Sequence, residues 1–328
     1  MDIYVTLDYE LFLNDISGDP RNCLIIPGNK FLDICDRQGI KATFFVDAAY
    51  LYRLNELKDT FPQLSQDFQD VSTQIADIVR RNHSIGLHIH SQWYYSNFDG
   101  RKWSIDFKHY KLSDMPQKEA DEKFQSSFDL LKSISGATIK SFRGGGFSIQ
   151  DYKSFPEIML RNGITIDSTA TYKGKLISDL QSFDYSSLKS SDHYRFETDI
   201  LKSVSDGRMI EFPITSAKEP YLTYCYKRYK YHCSEGNSNY GNGGDLPLKT
   251  RIGFIKNIFK KFGFTIYVGA SIDYQSFFHL TYVAEKIKKQ GKRDLVILGH
   301  PKNFSPASLD YFERFVVKMK EEHKFKTM

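Results

Sequence analysis

The strongest constraint on this chain is an alternation of β-branched and aromatic runs with stretches of helical period, sustained from end to end. Residues 2–7, 40–46, 84–90, 138–142, 164–166, 208–214 and 294–298 read as strands. Between them, 28–38 places Phe31, Leu32 and Cys35 on one helical face and stops at Gly39, a helix-ending glycine. Residues 65–81 likewise align Val71, Ile75, Ile78 and Val79. Further helices are expected over 118–133, 149–161, 277–289 and 308–319. Parallel strands need crossover helices, so the pattern predicts an α/β fold with a parallel sheet. No glycine-rich phosphate fingerprint follows the first strand, which disfavours a dinucleotide-binding sheet. A closed or nearly closed (β/α) barrel is the better expectation, and 328 residues suit one such domain plus insertions.

Two regions break the rhythm. Residues 94–115 read as a polar, aromatic loop after a strand. Residues 217–250 hold many tyrosines and then Gly-Asn-Ser-Asn-Tyr-Gly-Asn-Gly-Gly-Asp, and read as an insertion or mobile loop within a single domain spanning 1–328.

The unusual polar residues fall at the carboxyl ends of the predicted strands. Asp8 and Glu10 follow the first, His88 and His90 end the third, and Arg143, Asp167 and His300 follow later ones. In a barrel these ends meet on one face, where active sites sit. Any one of them has a plain structural reading, since a strand-end Asp is usually a cap. Seven on one face is a different matter.

His88 and His90 are two apart, so on a strand they point the same way. Two imidazoles with a carboxylate from another strand make a three-ligand metal site with an open position. Asp8 and Glu10 also share a face, so one can bind metal while the other takes a proton from metal-activated water. Arg143 is placed to keep that base ionised, and His300 to donate a proton to a leaving amine.

The order Thr-Leu-Asp-Tyr-Glu, Ile-Gly-Leu-His-Ile-His-Ser-Gln-Trp, Phe-Arg-Gly-Gly-Gly-Phe and Leu-Gly-His-Pro resembles the polysaccharide deacetylase family, the NodB homology domain, over about residues 2–315. The resemblance implies a distorted (β/α) barrel that removes acetyl groups from N-acetylated sugars with zinc or a similar divalent ion. It implies Asp8 as the base, Arg143 as its partner, His300 as the acid and His88 as a metal ligand. Two positions depart from the commonest pattern. The metal-binding aspartate that directly follows the base is Tyr9 here, and Glu10 fits as ligand instead. The second metal histidine, four after the first, is Gln92 here, and His90 is its expected replacement. The His-x-His pattern is similar to a branch associated with surface-polysaccharide gene clusters. Less specific expectations are that Trp93 stacks on a sugar or caps the barrel, that Asp167 contacts substrate or supports the site from behind, and that Glu211 buffers His300. His83 is expected to be structural.

A net charge of +5 is too mild to imply nucleic acid. No run reaches the roughly 18 apolar residues of a membrane span, and the amino terminus has no leader-like pattern, so a cytoplasmic protein is expected. Four cysteines are too few for a disulfide framework, and Cys225, His232 and Cys233 match no common zinc spacing. Residues 249–264 alternate Ile and Phe with Lys and Arg like a basic amphipathic helix, which fits an outer barrel helix or peripheral contact with an anionic inner-membrane face. The expected function is therefore metal-dependent N-deacetylation of an amino sugar, in a polysaccharide or its lipid- or nucleotide-linked precursor. The alternatives are hydrolysis of another small amide or ureide bond, or an inactive carbohydrate-binding module.

Overall fold

The computed structural model describes residues 1–14, 16–178, 180–244, 265–274 and 277–328. The central sheet has nine strands: β1 (Asp2–Tyr9), β2 (Thr43–Asp47), β3 (Ser84–Ile89), β4 (Ser141–Gly144), β5 (Ile166–Asp167), β6 (Tyr194–Phe196), β7 (Met209–Glu211), β8 (Asp294–Gly299) and β9 (Lys324–Lys326). Their order is β6-β7-β5-β4-β3-β2-β1-β8, with β9 also on β1. All these pairs are parallel except β6 with β7. From Ile3 onward β1 is buried at every position, as expected of a parallel strand covered on both faces.

The sheet curls, and irregular backbone rather than a ladder joins its ends. Thr215 N–H donates to the Val296 carbonyl at 3.1 Å, and Leu298 N–H to the Ala270 carbonyl at 2.9 Å. The predicted α/β barrel is thus present in distorted, half-barrel form. Tyr4, Phe212, Ile214, Val296 and Leu298 form a small buried cluster, and the main core lies between sheet and helices.

Eight α-helices lie among the described residues: α1 (Ile26–Gln38), α2 (Ala48–Leu57), α3 (Pro62–Arg80), α4 (Gln117–Ser135), α5 (Glu157–Arg161), α6 (Tyr221–His232), α7 (Phe277–Lys289) and α8 (Pro306–Met319). Gly39 ends α1 at φ 68°, and Ser305 with Ser308 closes a capping box on α8. The helix expected over 149–161 is helical only from Glu157, because Pro156 lacks an amide donor and is tolerated only at a helix start.

The expected loop over 217–250 proves more ordered where described. Ser216–Pro220 pairs antiparallel with Thr265–Gly269, α6 follows, and 236–244 packs back on the barrel. The amphipathic stretch 249–264 lies outside the described residues. No helix among the described residues is long and apolar enough to cross a membrane.

Candidate metal centre and active site

Alternation along β1 decides which side chains meet. Thr6, Asp8 and Glu10 share the face toward the barrel interior. Tyr9 points the other way, where its hydroxyl donates to Gln74 Oε1 of α3 at 2.5 Å. The residue directly after Asp8 therefore cannot reach the cluster, whereas Glu10 can.

Glu10 Oε2 lies 3.0 Å from His88 Nε2 and 2.6 Å from His90 Nε2. Among the described residues, Glu10, His88 and His90 form a group whose ligand atoms lie within 4.8 Å of one another; Cys225, His232 and Cys233 join no such group. Gln92 is wholly buried in the turn after β3 and does not line the cavity, so His90 is the histidine that joins His88.

The donor set fits a divalent cation in its chemistry. The Arg143 carbonyl, 2.7 Å from His88 Nδ1, can only accept, so Nδ1 carries a proton and Nε2 is the nitrogen turned toward Glu10. Asp47, at the end of β2, accepts the His90 backbone N–H at 3.2 Å and so places the second imidazole. His90 Nδ1 is buried without a protein partner among the described residues. Gly145 gives that ring its space, since a Cβ there would lie 2.9 Å from Nδ1 and 2.3 Å from the Ile89 carbonyl oxygen. Lys302 Nζ holds Glu10 Oε1 at 2.7 Å and leaves Oε2 between the imidazoles.

Charge organises the rest. Arg143 is fully buried and spends its fork on Asp8 Oδ1 (2.6 Å), Thr6 Oγ1 (2.9 Å) and both oxygens of Ser168 (2.8 and 2.9 Å). Its guanidinium also faces the Phe45 ring at 4.2 Å. Gly86 on β3 leaves room for that ring, because a Cβ there would come within 2.5 Å of it. Burial pushes the Asp8 carboxyl up, but Arg143, His88 and His300 outweigh it and hold it below the usual range. For Glu10, burial is likewise overcome by Lys302 and the two histidines, and its carboxyl stays well below normal. Burial alone would lower His88; the Asp8 and Glu10 charges instead raise it to about 9.

His300 stands across the cavity. Its Nε2 is 3.6 Å from Asp8 Oδ2 and 3.7 Å from Glu10 Oε1. Asp273 grips it twice, accepting from the backbone N–H at 2.9 Å and pairing with Nδ1 at 2.5 Å. Burial works against the charged ring, yet Asp273, Asp8 and Glu10 raise its pKa. The buffering expected of Glu211 thus belongs to Asp273. Glu211 lies beside Asp167 in the β5–β7 register and accepts from Ala170 N–H at 3.0 Å, so it faces a different set of atoms.

For two further residues the substrate contact is overturned and the structural alternative holds. Trp93 is fully buried against Tyr50 and Trp103, with ring centroids at 4.7 and 5.2 Å. It packs the barrel end and cannot stack on a ligand. Asp167 is fully buried and does not line the cavity; its place is behind Arg143, next to Ser168 and Thr169. His83 is structural as expected: its Nδ1 accepts the Ala42 amide, and burial lowers its pKa to about 4.

The cavity over the cluster measures about 230 Å³ and is lined by Asp8, Glu10, His90, His300 and Lys302 together with Phe12, Tyr110 and Phe147. The larger hollow beside Gln117 and Arg161 is lined by no histidine among the described residues.

Residues 28–165 match the family model described as polysaccharide deacetylase. The fold is shared with solved members of that class. A Mycobacterium smegmatis protein assigned as a polysaccharide deacetylase aligns over 97% of this chain and 82% of its own, at 12% identity and a TM-score of 0.50. One from Pseudomonas aeruginosa PAO1 aligns over 99% and 86%, at 13% identity and a TM-score of 0.50. No curated protein sequence matches. The family match thus identifies a polysaccharide deacetylase domain over residues 28–165, and the likeness of fold extends over nearly the whole chain.

Proposed function

We propose that this chain is a metal-dependent hydrolase that removes the acyl group from an N-acylated amino sugar, in a polysaccharide or its lipid- or nucleotide-linked precursor. The observation that supports it best is convergence. A carboxylate held ionised by Arg143, a histidine whose pKa three carboxylates raise, and Glu10 and His90 of the Glu/His/His donor set line one cavity.

Glu10, His88 and His90 would hold the ion, most simply zinc, which when bound makes water acidic and polarises an acyl carbonyl. Asp8 is the base. Arg143 occupies its Oδ1, so Oδ2 is the oxygen left to accept the water proton. His300 is the acid, and its Nε2 proton passes to the amide nitrogen as the carbon–nitrogen bond breaks and the water oxygen bonds to the acyl carbon. The products are a carboxylic acid and a free amine. Asp273 keeps the ring oriented and charged between turnovers.

The test is metal content by elemental analysis beside acetate release from N-acetylated amino sugars. Wild type should carry about one divalent ion per chain and His88→Ala none. Asp8→Asn should keep the ion and lose roughly 10²–10⁴-fold in kcat. Wild type that takes up no metal from zinc, cobalt or nickel would sink the reading.

A further inference from the structure

Residues 236–244, Gly-Asn-Ser-Asn-Tyr-Gly-Asn-Gly-Gly, run between the segment that follows β1 and the segment that follows β8, beside the cavity that holds Asp8 and His300. One end is tied to the loop after β8, where Tyr240 N–H donates to the Phe304 carbonyl at 2.8 Å and Ala307 N–H to the Gly236 carbonyl at 3.0 Å. The other is tied to the loop after β1. There the Asn242 side chain accepts from Asp19 N–H at 3.0 Å and donates to the Asp19 carboxylate at 2.5 Å, while Gly244 N–H donates to the Ile16 carbonyl at 2.9 Å.

The glycines are there for closeness. A Cβ at Gly241 would lie 2.2 Å from the Lys302 carbonyl oxygen, and one at Gly243 2.3 Å from the Phe12 ring and 2.7 Å from the Ile16 carbonyl oxygen. The segment thus lies directly on Phe12 and Lys302, two residues that line the catalytic cavity, and Gly244 lines it too. Another part of the wall is Tyr110 with Gly146 and Phe147. Phe147 is held at φ 58°, a region that bulky residues rarely enter, while its carbonyl accepts the Tyr185 hydroxyl at 2.7 Å.

The resulting space is about 230 Å³, below the roughly 300–1,000 Å³ usual for drug-sized ligands. Its walls are aromatic and its floor is charged. Aromatic rings suit the apolar faces of a sugar ring, and a space of this size suits one ring.

We infer that the strap 236–244 makes the site a pocket for a single N-acyl amino sugar, free or at a chain terminus, rather than a cleft that runs along a polymer. This rests on the deacetylase reading above. The strap is a specificity element and takes no part in the chemistry.

The experiment compares N-acetylglucosamine with its β-linked pentamer on the zinc-supplemented full chain, by acetate release (kcat/KM) and by ligand-detected NMR binding. Wild type should favour the monomer by tenfold or more per acetyl group. Asn242→Ala, and more strongly Asn242→Ala with Gly243→Val, should bring the two substrates within about threefold. Asn242→Ala alone keeps the test valid should the double variant not fold, and the wild-type profile needs no variant. Equal or better use of the pentamer by wild type would overturn the inference and leave the deacetylase reading standing. Failure of both sugars to bind or react would remove the amino-sugar reading, and the inference with it.

Discussion

Two sets of buried carboxyls, at β1 and on the β5–β7 pair of the same sheet, behave in opposite ways. Asp8 and Glu10 are held ionised; Asp167 and Glu211 have their pKa values pushed up. Burial acts on all four in the same direction. Partners make the difference. Asp8 has the Arg143 fork, and Glu10 has Lys302 with two imidazoles. Asp167 and Glu211 have mainly each other, a threonine hydroxyl and a backbone amide. Arg143 adjoins both sets but aims its charge at Asp8. The aim of two cations, Arg143 at Asp8 and Lys302 at Glu10, thus sorts four acids into two ionised and two inclined to be neutral.

Breaking that sorting should have the largest effect. Arg143→Met leaves Asp8 buried without its cation, and urea denaturation should show a loss of about 3–5 kcal/mol. Acetate release should fall in parallel; retained activity would mean that Asp8 does not depend on Arg143.

The sign of titration sharpens the contrast. His83 titrates at about 4 in the folded chain against an ordinary value near 6.5, so the folded state binds fewer protons in that window. Its contribution is present above the ordinary value and is lost progressively as pH falls from there to 4, about 3 kcal/mol in all. His83→Gln should flatten this acid loss in denaturation curves taken from pH 6.5 to 4. Glu211 has the opposite sign. Its folded pKa is raised, first by burial and then by Asp167, so its contribution is complete below the ordinary carboxylate range and is lost as pH rises. Glu211→Gln should match wild type near pH 5 and exceed it in stability at pH 9. A wild type that is equally stable at both would mean that the pair shares no proton.

The smallest effect comes from the same chemistry placed in water. Arg37 and Glu313 meet at 2.8 Å, with more than half of the arginine side chain exposed. Arg37→Ala should cost about 0–1 kcal/mol and lose even that in high salt.

Much of this was legible in the sequence. Alternation gave the α/β class, and strand ends picked out Asp8, Glu10, His88, His90, Arg143 and His300. Asp47 obeys the same rule and was missed, because the second strand runs one residue beyond its apolar run. Lys302 and Asp273 carried no such mark. Lys302 sits in a short 3₁₀ turn after β8, and Asp273 on irregular backbone that follows the strand Thr265–Gly269. Both are placed by contacts some 30 to 290 residues apart in sequence, which local patterns do not encode. The closing of the sheet through Thr215 and Ala270 was hidden for the same reason.

Gly86 shows where such a site is exposed to drift. It has no functional group and touches no substrate, yet its bare backbone seats Phe45, and Phe45 seats the guanidinium. A single methyl acquired there would act on Asp8 from the far side of an aromatic ring. A scan for lost activity would then flag a residue that a list of reactive side chains never includes.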